Sequence, residues 1–337
     1  MKLARFLVCA ALAGALACSR QVPLAAQDTP TDAKPAESDR YTVPETDDVA
    51  ALVKHLDRLT QFRPRTQQEA LNHRKKAPLA TRKVAEKILS LDKDPASKNY
   101  RLAKRSLLQS EAQKLTDEGS TEARKALLDE IVTFVRAGDK SAEDASLAIG
   151  YAVGLEYAPA REVAAEAYTK LGESFADSQN EDVAKQGKTM LGAARRLNLV
   201  GQPFALKGTT LEGKPFDIAS LKGKVVLVDV WATWCGPCLA EYPNLKKNYD
   251  AYHERGFEVV GLSIDQDRTA LEEYVAAEKI PWTTLHEKDS HGQHPATVEY
   301  GIFGIPTVIL IDKEGKVVST RARGAELGRL LKDLLGS

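Results

Sequence analysis

The sequence predicts two folded units in series: an all-helical bundle over residues 47–198, then an α/β sandwich with a central mixed sheet over residues 199–337. Three observations predict it. Up to Asn198, apolar residues recur at intervals of three and four, and strand-like runs are nearly absent. From Gly201 onward, short β-branched runs alternate with helical stretches. At the first strand-to-helix junction of that second half stands Trp234-Cys235-Gly236-Pro237-Cys238.

A chain of 337 residues is long enough for two domains with separate cores. Lys plus Arg and Asp plus Glu both number 47, so nothing global points to nucleic acid or to an acidic partner. The four cysteines are Cys9, Cys18, Cys235 and Cys238. The first two lie in or beside an expected export signal over residues 1–17, with Lys2 and Arg5 as its basic region and Phe6 to Ala17 as its apolar stretch. That stretch is too short for a permanent membrane span. Ala15-Leu16-Ala17 fits a small-x-small cleavage site. Leu16-Ala17-Cys18 alternatively approximates a bacterial lipobox with Cys18 lipidated, although Ala15 stands where leucine is preferred. A spare Cys18 thiol beside a redox pair is the awkward third reading. Residues 18–46, rich in Pro, Ala, Thr, Asp and Ser, read as a flexible tether.

The helical half is read from its periodicity. Val49, Leu52, Val53, Leu56 and Leu59 share one helix face. Tyr100, Ala103, Leu107 and Leu115 mark another helix. Ala123, Ala126, Leu127, Ile131, Phe134 and Val135 follow, with Ser120 as N-cap and Gly138 as stop. Residues 142–157 and 160–175 form a pair broken at Pro159, and Val183, Met190, Leu191, Ala194 and Leu197 make a last helix. Six or seven antiparallel helices are expected. The Ala/Tyr/Leu spacing over 147–171 resembles a tetratricopeptide hairpin but is not maintained, which leaves a plain bundle serving as spacer or dimer interface.

In the second half, residues 209–216 read as a hairpin turning near Glu212-Gly213. Val225–Val230 is a continuous apolar run, as expected of a buried central strand, and Phe257–Ile264 is its parallel neighbour across a helix at 239–254. Residues 271–278 read as helix and 281–285 as a short strand. A hairpin follows over 307–320 around Asp312-Lys313-Glu314-Gly315, and the closing helix spans 326–335.

Two cysteines separated by two residues can close a small disulfide ring or form half of a zinc site. The strand-to-helix context favours redox chemistry, because it puts Cys235 near a helix N-terminus, where free N–H groups and the dipole favour a thiolate. Zinc needs two further ligands, and no other cysteine pair follows the signal region, so no metal is expected. A buried inert disulfide is the bland alternative.

Residues 228–238 resemble the active-site segment of thioredoxins, and Gly304-Ile305-Pro306-Thr307 resembles their cis-proline loop. Glu241, three residues after Cys238, is similar to a feature of the exported TlpA/ResA branch. The resemblance covers about residues 201–337 and implies a thioredoxin-like protein disulfide oxidoreductase that needs no cofactor. It implies that Cys235 attacks a substrate disulfide and that Cys238 resolves the mixed disulfide. Pro237 suits the first helical turn, and Gly236 leaves the approach to the nucleophile open. Trp231 and Trp234 would form an apolar collar around Cys235, with core packing the plainer role for Trp231. Pro306 would be cis and would present the backbone of Ile305 to an extended substrate. Asp229 matches the buried aspartate that takes a proton from the resolving thiol; a carboxylate on a central strand is costly without such a task or a partner. Glu241 would tune the sulfurs' protonation; a solvated helix residue is its bland reading. The lysine that thioredoxins place near the aspartate is missing, since Gly261 and Leu262 occupy that strand. His286, His291 and His294 read as solvated loop residues.

The expected function is therefore an exported protein disulfide reductant, periplasmic or anchored by lipid, acting on disulfide-containing proteins and fed by a separate membrane electron donor. The expected alternatives are a redox-switched binding protein, a thiol peroxidase and a copper-handling protein. The peroxidase lacks the proline its motif requires before Thr233.

Overall fold

The computed structural model describes residues 40–158, 161–288 and 294–336. The expected signal peptide, Cys18, most of the tether, Pro159 and His291 lie outside the described residues. Seven helices of ten or more residues precede the first strand among the described residues: α1 Val49–Thr60, α2 Gln67–Leu91, α3 Lys98–Glu118, α4 Thr121–Arg136, α5 Ala142–Tyr157, α6 Arg161–Phe175 and α7 Glu181–Leu197. Side-chain oxygens begin six of them, from Asp48, Thr66, Ser97, Ser120, Ser141 and Asn180, each accepting from an otherwise free N–H of the first turn. Helices α1–α3 bury Leu52, Leu56, Val84 and Ile88 in one cluster. Helices α3–α7 bury Leu128, Ile131, Tyr151, Tyr168 and Phe175 in a second.

The C-terminal half contains the hairpin β1 Lys207–Thr209 and β2 Pro215–Asp217, then β3 Val225–Trp231, α8 Gly236–Tyr252, β4 Phe257–Ser263, α9 Arg268–Ala277, β5 Thr283–Leu285, α10 Pro295–Glu299, β6 Thr307–Ile311, β7 Val317–Ser319 and α11 Ala325–Leu335. The five-stranded sheet runs β5-β4-β3-β6-β7. Strands β3, β4 and β5 are parallel, and β6 and β7 continue the sheet antiparallel, so it is mixed. The fold is the thioredoxin-like α/β sandwich.

Alternation along β3 decides what faces the chemistry. Val226, Val228 and Val230 point into the layer of Phe204, Leu206 and Tyr300. Val225 and Leu227 point to the other layer, with Tyr242 and Leu245 of α8 and Leu327 of α11. The two-residue period puts Asp229 on this second face, beneath the first turns of α8.

The halves are in close contact. Arg196 at the end of α7 donates to the carbonyls of Tyr300 at 2.9 Å and Gly301 at 3.5 Å, and Arg195 donates to Glu299 at 2.8 Å. The Tyr168 and Phe303 rings stack at 5.8 Å, so an aromatic side chain from the segment before Pro306 packs on the helical core. Glycine is required where the backbones meet. At Gly301, with φ +59°, a Cβ would lie 2.0 Å from Ala193 N.

Candidate active site

Cys235 and Cys238 are joined by a disulfide. Strand β3 ends at Trp231, the chain turns, and Cys235 becomes the N-cap of α8, with Pro237 in the first turn. The Cys235 Sγ takes the place of a capping oxygen and accepts from the Cys238 N–H at 3.2 Å. A thiolate formed here meets the same donor and the positive end of a helix of 17 residues, both of which favour negative charge on the sulfur. Only 5% of Cys235 and 6% of Cys238 is exposed. The neighbours Trp234, Gly236 and Pro237 are exposed, Trp234 at 64%, and a Cβ added at Gly236 would meet nothing within 4 Å. The disulfide thus sits just below an open apolar platform. Trp231, by contrast, is buried beside Tyr274 and takes the packing role.

The Ile305–Pro306 peptide bond is cis. Ile305 packs against the cluster formed by both cysteines, Trp231 and Leu271. Segments distant in sequence therefore meet around the sulfurs.

Burial pushes the carboxyl of Asp229 up to about 7, with the Arg323 guanidinium opposing the rise and Glu241 adding to it. The residue as a whole is half-buried on its strand. Arg323 stands where sequence reasoning found no cation. The strand position opposite Asp229 is Gly261, and a Cβ there would already touch Trp231 Nε1 at 3.0 Å. The positive charge arrives instead from the segment between β7 and α11. The Nε of Arg323 is buried and makes no hydrogen bond among the described residues. Glu241 does not float free on the helix surface. It accepts from the Gly324 N–H at 2.7 Å and from Asn244 Nδ2 at 2.7 Å, and Asn244 also donates to the Gly324 carbonyl at 3.2 Å. Glu241 thereby fixes the backbone that carries Arg323.

A second buried carboxylate went unread in the sequence. Asp265, 3% exposed, accepts from the Thr233 N–H at 3.1 Å, the Thr233 hydroxyl at 2.6 Å and the Ser263 hydroxyl at 2.8 Å. It fastens the turn that presents Cys235. Its signal was its place just beyond the carboxyl end of a parallel strand, where α/β proteins build their sites.

The histidine expectation is corrected. His286 and His294 are 6% and 2% exposed rather than solvated. His286 Nε2 donates to the Asp265 carbonyl at 3.0 Å, and His294 Nδ1 caps α10 by accepting from Ala296 N–H at 3.2 Å. Burial lowers the pKa of His294 and keeps its ring neutral. Among the described residues, no group of three or more His, Cys, Asp and Glu side chains is placed to hold a metal ion.

The Redoxin family model matches residues 193–328. The thiol-disulfide oxidoreductase ResA of Bacillus thuringiensis subsp. konkukian is 34% identical over 127 residues, which span 38% of this chain and 70% of the relative. ResA of Bacillus subtilis is 30% identical over 115 residues, 34% of this chain and 61% of that protein. Among solved structures, the thioredoxin domain of a thiol-disulfide oxidoreductase from Bacteroides vulgatus is 32% identical. It covers 40% of this chain and 97% of that one, with a TM-score of 0.37. A thiol:disulfide interchange protein from a Bacteroides species is 30% identical, covering 41% and 91%, with a TM-score of 0.38. Sequence identity at this level over 70% of a relative's length means that this chain, through its C-terminal thioredoxin-like half, belongs to the ResA-like thiol-disulfide oxidoreductases.

Proposed function

We propose that the protein reduces disulfides in exported proteins through the Cys235–Cys238 couple. The observation that carries this reading is the Cys235 sulfur at the N-cap of α8, because that position favours the attacking thiolate. The thiolate attacks one sulfur of the substrate disulfide. A Cys235–substrate disulfide forms, and the other substrate sulfur leaves as a thiolate. Asp229 then takes the Cys238 proton; a carboxyl with a pKa of about 7 can both accept and return a proton near neutral pH. Cys238 attacks the Cys235 sulfur, the ring disulfide closes, and the second substrate sulfur is released. Two electrons have passed from the dithiol to the substrate. Arg323 keeps Asp229 ionisable, Glu241 positions Arg323, and Trp234, Gly236, Pro237, Ile305 and Pro306 form the surface on which substrate lies. The next cycle needs an external dithiol or membrane reductase as electron donor.

The export signal over residues 1–17, the alternative lipid anchor at Cys18 and the tether over 18–46 belong to this proposal. No described helix is long and apolar enough to cross a membrane. The division into a helical domain over 47–198 and a redox domain over 199–337 is supported by separate hydrophobic clusters on either side of Asn198.

The test is the equilibrium potential of the Cys235–Cys238 couple against a dithiol buffer. A value near about −270 mV, the thioredoxin figure, supports a reductant; one near about −120 mV, the DsbA figure, makes the protein an oxidant.

A further inference from the structure

The helical half reaches the cis-proline loop. A cleft of about 240 Å³ is bounded by Glu156 and Tyr157 at the end of α5 and Arg196 of α7 on one side. Pro306, Thr307 and Val308, with Thr320, Arg321 and Arg323, bound the other. The cis-proline is thus one lip of a groove whose opposite lip belongs to the other half of the chain.

The helical lip is held in place. Arg196 makes a bidentate pair with Glu156 at 2.9 and 3.0 Å, and Tyr168 donates to Glu156 at 3.0 Å. The pair is well buried, and the same guanidinium ties it to the Tyr300 and Gly301 carbonyls. These bonds fix the end of α5 relative to the cis-proline loop. Tyr157 itself is not consumed by packing. It is 69% exposed, and its ring forms part of the cleft wall opposite Pro306.

The charges in the cleft are unequal. The Glu156 carboxylate is neutralised by Arg196. Arg323 works against Asp229 from within the fold. Arg321 is exposed and has no ion-pair partner among the described residues, its only hydrogen bond to a side chain being from its backbone N–H to Ser319 Oγ at 3.0 Å. The groove beside the cis-proline therefore offers a free guanidinium and an exposed ring.

We propose that this cleft receives the polypeptide flanking the substrate disulfide, with Tyr157 as its wall and Arg321 accepting an acidic side chain, so that the helical half takes part in choosing the substrate. The proposal rests on the thiol–disulfide exchange reading above. The substrate class is a protein disulfide with aspartate or glutamate beside a cysteine, lying extended between Tyr157 and Pro306. A planar guanidinium suits a carboxylate in such a site.

The test uses the full chain with dithiothreitol as donor and two synthetic peptides. Each peptide carries one disulfide, and they differ only in having Asp or Lys beside one cysteine. Hydroxyethyl disulfide serves as a substrate without flanking polypeptide. The wild type is expected to favour the Asp peptide by about fivefold in kcat/KM at low salt, through KM, and the preference should shrink as salt is raised. Arg321→Glu, at an exposed position, should reverse the preference. Tyr157→Ala should raise KM for both peptides. Reduction of hydroxyethyl disulfide together with equal rates on the two peptides overturns this proposal alone. So does a preference that survives Arg321→Glu. Failure to reduce even hydroxyethyl disulfide overturns the exchange reading and this proposal with it.

Discussion

The carboxylate of Glu241 accepts a hydrogen bond from the backbone N–H of Gly324 at 2.7 Å, joining the helix that begins at Cys235 to the segment that carries Arg323. The contact makes three charges one unit. Asp229 lies on the strand face beneath, Arg323 lowers its pKa, and Glu241 raises it while holding the Arg323 backbone. Two substitutions should therefore act in opposite directions. Arg323→Gln should move the pH profile of the resolving step alkaline by about one unit, because a cation near Asp229 is lost. Glu241→Gln should move it toward acid by a smaller amount. Stopped-flow reduction across pH 5–9 would read both, and shifts of the same sign would dissolve the triad.

Asp229 should also set a pH dependence of stability. Its folded pKa is raised from 3.8 to about 7, so the fold prefers the protonated acid. Its contribution is complete below the ordinary carboxylate pKa and is lost as pH rises through about 7. Asp229→Asn imitates the protonated form. It should match the wild type near pH 4 and exceed it by about 1–4 kcal/mol at pH 8, while resolution slows at least tenfold, by about the loss of a general base. Thermal melts at the two pH values and single-turnover kinetics check both halves of the expectation.

The turn before Cys235 depends on Asp265. Asp265→Ala removes the acceptor of the Thr233 N–H, the Thr233 hydroxyl and the Ser263 hydroxyl. The cost should be about 2–4 kcal/mol in urea unfolding, since buried donors are left unsatisfied. Asp265→Asn keeps one acceptor oxygen and should lose less.

Gly301 is where the two halves meet most closely. Gly301→Ala adds a Cβ against Ala193 at a positive φ, so either the loop before Pro306 or the end of α7 must shift. A loss of about 2 kcal/mol or more is expected, with a higher KM for protein substrates. A variant melting with the wild type would show that the contact between the halves is loose.

The parts of the site legible in the sequence were those encoded locally. The Cys–x–x–Cys pair sits in a recognisable strand-to-helix pattern, and Asp229 and Pro306 are legible through the resemblance of their segments to thioredoxins. Arg323 was invisible because its importance comes from packing between β7 and α11 against a strand far back in the chain. The empty lysine position pointed to a missing charge, and Gly261 explains the vacancy sterically. His294 had a readable signal: it stands directly before Pro295, as an N-cap stands before a proline at the first helical position. Gly292 and Pro295 suggest a loop in the sequence, but Pro295 opens the short helix that His294 caps. The approach of Tyr157 to Pro306 carried no sequence signal, since an exposed aromatic at a helix end looks like any other.

The most direct measurement is which cysteine holds the substrate. Cys238→Ser, reduced and mixed with an oxidised protein substrate, should accumulate a mixed disulfide that peptide mapping assigns to Cys235, and Cys235→Ser should trap little. A stable adduct on Cys238 in Cys235→Ser, with none on Cys235 in Cys238→Ser, would contradict the account, because the sulfur at the helix N-cap would then not be the one that attacks.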